Sequence, residues 1–89
     1  MRAIITVIGK DRKGIIAGIS TVLAKAGINI LDIHQTTLQE YFTMLMLVDM
    51  ESAAENFRTV KEILSVKGSE LGVQVQIQRE ELFNAMHRV

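Results

Sequence analysis

The sequence predicts an α+β domain with its elements in the order β-α-β-β-α-β: an antiparallel four-stranded sheet with two helices on one face, plus a short C-terminal helix. Three observations predict it. Two stretches with apolar residues at helical spacing each stand between runs rich in β-branched residues. A two-residue polar point, Gln39-Glu40, divides the middle runs into a hairpin. The run Val73-Gln74-Val75-Gln76-Ile77-Gln78 alternates strictly between apolar and amide side chains. The order of these signals sets the class.

Residues 2–8 are β-branched and almost continuously apolar, as suits a central strand covered on both faces or one lying at a subunit contact. The loop "GKDRKG", Gly9 to Gly14, then separates this strand from Ile15, Ile16, Ile19, Val22, Leu23 and Ala26, which recur at helical spacing. Lys25 sits in the last turn of that helix and Gly27 closes it in a left-handed conformation. Residues 28–33 and 41–48 form the hairpin strands. Ser52-Ala53-Ala54-Glu55 has the form of a capping box, followed by Phe57, Val60, Ile63 and Leu64 as the buried stripe of a second helix that weakens near Gly68. Residues 73–78 form a half-buried strand. Leu82, Phe83, Met86 and Val89 mark one side of a terminal helix that docks on its own domain or on a second subunit. This is the ferredoxin-like arrangement, and it leaves the second sheet face to solvent, a partner or a ligand.

The 89 residues form a single domain over 1–89, with a core at about 3–78 and a helical tail at about 80–88. At 48% hydrophobic and 22% charged residues the chain builds a packed core. A chain this short gains from burial against a partner, so self-association is expected. Ten basic residues cancel ten acidic ones, leaving no overall field for nucleic acid or a membrane surface. Cysteine is absent, which removes disulfides, thiol nucleophiles and thiolate metal sites and points to the cytoplasm. No stretch approaches the roughly 20 apolar residues of a membrane span, and the N-terminus is too short in apolar character for a secretory signal. Proline is absent and no linker is visible.

Several chemistries fit this order of elements. RNA-binding domains of the fold stack bases on aromatics of the first and third strands, but the first strand here has none and the third offers only Tyr41 and Phe42. Metal carriers need paired thiolates in the first loop, and none is present. An acyl phosphate hydrolase would use an arginine and an asparagine, for which Arg12 and Asn29 are the candidates, yet Asp11 beside the arginine repels a phosphate. Asp32 and His34 share a strand face with no third metal ligand in evidence, and His87 is the remaining imidazole. No metal and no cofactor is therefore expected. Met44, Met46 and Met50 read as core filler.

The first loop has the parts of a clamp. A helix starting near Gly14 aims the amides of Gly14, Ile15 and Ile16 at a small carboxylate, and Gly14 leaves that backbone open to close approach. Asp11, or Asn29 at the start of the next strand, would then accept an ammonium group. The same residues also read as a helix cap (Asp11), an eased turn (Gly14) and a strand start (Asn29).

At these residues the chain resembles the ACT domain family. The likeness spans roughly residues 3–78 and rests on "DRKGIIAGISTVLAKAGINILDI", together with the Phe42 to Met46 strand "FTMLM". It is most similar to the free-standing bacterial and archaeal members, and to the ACT segments of a glycine-cleavage repressor and of formyltetrahydrofolate deformylase. The resemblance implies a homodimer with amino-acid sites at the interface, lined by Asp11, Arg12, Gly14, Ile15, Ile16 and Asn29. It also implies a non-catalytic regulatory module acting in trans on an enzyme or regulator. Many family loops carry Asn-x-Pro-Gly where this chain has Asp11-Arg12-Lys13-Gly14. A purely structural or protein-interaction module is the alternative, and an acylphosphatase-like hydrolase the third reading.

Overall fold

The computed structural model describes residues 1–10 and 13–86. Its central strand is β1 (Arg2–Gly9), paired antiparallel on one side with β3 (Tyr41–Asp49) and on the other with β4 (Gln74–Arg79). β2 (Asn29–Leu38) joins the far edge of β3, so the sheet order is β2-β3-β1-β4. Helix α1 (Ile15–Lys25) connects β1 to β2, α2 (Phe57–Leu71) connects β3 to β4, and α3 (Glu80–Met86) follows β4 directly. This is the expected ferredoxin-like α+β fold.

The two-residue period of a strand divides the sheet into two faces. Ala3, Ile5 and Val7 of β1, with Met44, Met46 and Val48 of β3, are fully buried on the helix side. Ile15, Ile19 and Leu23 of α1 and Val60 and Leu64 of α2 close the core from above, each at most 1% exposed. Their spacing of four residues places each set on one stripe of its helix. The methionines 44, 46 and 50 are all buried in this core.

Glycine ends both long helices. The Gly27 amide donates to Ala24 O and the Ile28 amide to Leu23 O; Gly72 donates to Ser69 O and Val73 to Gly68 O. With φ of 73° at both Gly27 and Gly72, these are paired carbonyl-satisfying stops of Schellman type. Gly68, expected to weaken α2, instead lies buried within it. A Cβ there would come 2.8 Å from a Val75 methyl and 3.0 Å from the Val73 carbonyl, so the missing side chain lets α2 lie directly on β4.

The start of α2 differs from the expected capping box. Ala53 donates to Met50 O and Ala54 to Ala26 O, which spends residues 52–55 on carrying the chain across the end of α1. The cap is Asn56, whose Oδ1 accepts from the Thr59 amide at 2.9 Å. β2 also runs longer than the sequence pattern showed, to Leu38, with a register irregularity between Ile30 and Asp32. In the tail helix Leu82 is 54% exposed while Phe83 is half-buried. The Met86 side chain and Val89, the other members of that stripe, fall outside the described portion.

Replacing Asn56 by Ala should lower unfolding free energy by ~1 kcal/mol in urea titrations, whereas Ser52→Ala should stay within about 0.5 kcal/mol of the parent. The reverse ranking would restore the capping box.

Candidate functional site

Gly14 is the N-cap of α1, left-handed at φ 76°, and the first bond inside the helix runs from the Gly18 amide to Gly14 O at 2.9 Å. The amides of Ile15, Ile16 and Ala17 therefore have no acceptor within their own helix. No acidic residue stands in the first turn. The Ile15 side chain is 1% exposed, and Ile16 packs against the core from a half-buried position. Both thus offer only their backbone to a ligand. A Cβ built on Gly14 meets nothing within 4 Å, so the approach to this turn is open. Lys10 Nζ lies 5.7 Å from the centre of the Tyr41 ring at the same end of the sheet. Asp11 and Arg12 lie outside the described residues.

Asn29 is exposed at the start of β2, level across the sheet with Asp49 and Arg2, whereas Gly9 is level with Phe42 and Thr37. Seven strand residues separate the two levels, about 23 Å at 3.3 Å per residue. α1 carries the chain back to the starting end of β1 before β2 begins, and β3 stands between those two strands. A clamp made of the Gly14 turn and Asn29 in one chain, which placing Asn29 on a neighbouring strand would require, is thus not built by this fold.

The sheet's second face carries Asp32 and His34 beside apolar side chains. Asp32 pairs in register with Leu47, which pairs with Ile4, while His34 pairs with Leu45. These residues and Phe83 of α3 line a cavity of about 120 Å³. Asp32 Oδ1 accepts from the Ile33 amide at 2.9 Å, and His34 Nε2 lies 3.3 Å from Thr36 Oγ1. Among the described residues, no three His, Cys, Asp or Glu side chains converge as a metal site. The signal for this cavity was present in β1 and β3, where Ile4, Leu45 and Leu47 break the polar-out alternation expected of a wet face. On the helix side, Val22, Ile63 and Val66, rimmed by Glu62, Lys67 and Glu70, line a hollow of about 390 Å³ between α1 and α2. No helix among the described residues is long and apolar enough to cross a membrane.

Residues 2–78 match the ACT domain family profile. A UPF0237 protein of Clostridium acetobutylicum is 58% identical over the full length of both chains. Among solved structures, an ACT domain protein from Streptococcus pneumoniae superposes with a TM-score of 0.83 at 44% identity, covering 98% of each chain. A putative glycine cleavage system transcriptional repressor superposes with a TM-score of 0.72 at 28% identity, over 86% of this chain and 44% of its own.

A side chain at position 14 must be held left-handed, so Gly14→Ala should cost ~1–2 kcal/mol of stability even with room for the methyl group. Gly14→Asn should cost less, because asparagine tolerates this conformation. Urea unfolding of both variants checks the order.

Proposed function

This chain belongs to the ACT domain family, and from that premise we propose a non-catalytic regulatory module that binds an amino acid between two copies of itself and acts in trans. The observation that carries this reading is the separation of the Gly14 turn from Asn29. β2, which bears Asn29, is an edge strand, and Leu31, Ile33 and Leu38 along it are 50%, 38% and 72% exposed. If two copies pair their β2 edges antiparallel, the start of one strand lies beside the end of the other. Asn29 of the second copy then stands at the same end of the sheet as the first copy's Gly14 turn, and the site is completed between chains.

In such a site the amides of Ile15 and Ile16 receive the ligand carboxylate at the positive end of α1. Asn29 of the second copy, with Asp11 and Arg12 of the first loop, supplies the remaining polar groups. A ligand bridging two copies favours the arrangement that holds both halves of its site, and this preference is what a partner protein reads. The likeness to a transcriptional repressor supports a regulatory rather than a catalytic role. Balanced charge and the lack of cysteine fit a cytoplasmic module that engages a protein rather than a polyanion or a membrane.

A thermal-shift screen against the twenty amino acids tests the reading. A ligand at 100 times its dissociation constant adds about 2.7 kcal/mol of stability, and the hit should vanish in Asp11→Ala and in Asn29→Ala. No hit would move the function to protein interaction alone. Mixing the two inactive variants should restore binding, because about half of the dimers in an equal mixture are heterodimers and each of these pairs one intact loop with one intact Asn29; the expected capacity is about a quarter of the parent's in a two-fold dimer. Calorimetric titration of the mixture reads that fraction. A mixture as inert as its components would exclude a site shared between chains.

A further inference from the structure

β2 carries a pair of metal-ligating side chains that the amino-acid site does not use. Asp32 and His34 are level with Leu47 and Leu45 of β3, so they leave the same face of an edge strand, about 7 Å apart along it. Both are exposed. One Asp32 oxygen accepts from the Ile33 amide, and one His34 nitrogen lies 3.3 Å from Thr36 Oγ1. Each side chain is thus oriented and keeps a second ligand atom. Among the described residues of one chain, no third ligand joins them.

We propose that two copies paired along β2 hold one divalent transition metal of the zinc class at their two-fold axis, with Asp32 and His34 of each copy as its four ligands. The proposal rests on the antiparallel β2 pairing of the preceding reading and fixes its register. Opposite residues of an antiparallel pair share a face, so an axis at Ile33 sets Asp32 of one copy against His34 of the other, twice. The same axis brings together the two Ile33 side chains, 38% exposed and level with buried Met46 on the helix side. It also sets Asn29 of the second copy about level with Thr37, and hence with Phe42 and Gly9, where the amino-acid site needs it. An axis at Asp32 would oppose two carboxylates; one at His34 would set Ile33 against Gln35. With the axis at Ile33, the four Cβ atoms mark a rectangle of about 5 by 7 Å, and an ion above its centre is within reach of all four side chains. Two imidazole nitrogens and two carboxylate oxygens suit zinc, whereas magnesium and calcium favour oxygen alone. The Thr36 hydroxyl, bonded to the other ring nitrogen, holds each imidazole in place.

The test is equilibrium dialysis of the metal-stripped full chain against zinc chloride, with sedimentation velocity run in chelator and in zinc. One zinc should bind per two chains and strengthen the paired state, and magnesium should not compete. His34→Gln should weaken uptake about a hundredfold or more, since losing an outer-shell partner alone costs 10–100-fold. Asp32→Asn, which keeps the oxygen that accepts from the Ile33 amide, should also weaken it, while His87→Gln should leave it unchanged. One zinc per chain, full uptake by His34→Gln, or loss of uptake in His87→Gln would each overturn the assignment. A dimer in chelator that takes up no zinc would overturn the metal site and leave the inter-chain amino-acid site standing, because that site is read in chelator through Asp11 and Asn29. A chain that stays monomeric in zinc and with amino acids would overturn both.

Discussion

β1 is paired along both of its edges, and the arrangement of every other element follows from that constraint. Its residues Ala3, Ile5 and Val7 are 0% exposed because β3 and β4 flank them and α1 and α2 roof them. Central placement also decides what β1 cannot touch. With both edges occupied, β2 is pushed to the outside of β3 and exposes nearly its whole length. A strand of ten residues with one open edge and apolar side chains on it invites another chain. The same placement separates the β1–α1 turn from the start of β2 by the length of the sheet.

The helices are cut to fit that sheet by backbone chemistry as much as by their apolar stripes. α1 and α2 stop where a left-handed glycine lets two amides fold back on the last carbonyls. The segment after β3 then crosses the end of α1, bonding Ala54 to Ala26 and passing so close that a Cβ on Gly27 would meet the Ser52 carbonyl at 2.8 Å. This crossing ties the hairpin exit to the α1 terminus. It also explains why the cap of α2 had to come later, at Asn56.

Ile15 and Ile16 combine side chains packed on the core with amides that have no acceptor in their own helix. Their side chains anchor the first turn of α1 to the core, and their amides face outward beyond the Gly14 turn. A turn held this firmly presents donors at little cost in ordering. The open face works differently: there Ile4, Leu45 and Leu47 sit under a short helix that covers only part of them.

Periodicity and punctuation alone determined the element order, the helix stop at Gly27, the hairpin point at Gln39-Glu40 and the burial of the three methionines, because each depends on residues within a turn or a strand of one another. The motif in the first loop and the start of β2 carried the family. Tertiary structure decided what depends on distant contacts. Gly68 is a point of close approach to Val75 rather than a weak spot, and Asn56 rather than Ser52 caps α2 because the amides of Ala53 and Ala54 bond elsewhere. Asn29 and Gly14 fall at opposite ends of the sheet because α1 returns the chain to the starting end of β1 before β2 begins. Asp32, Leu47, Ile4 and Phe83 meet only after four elements have paired and packed, and no local pattern specifies that register.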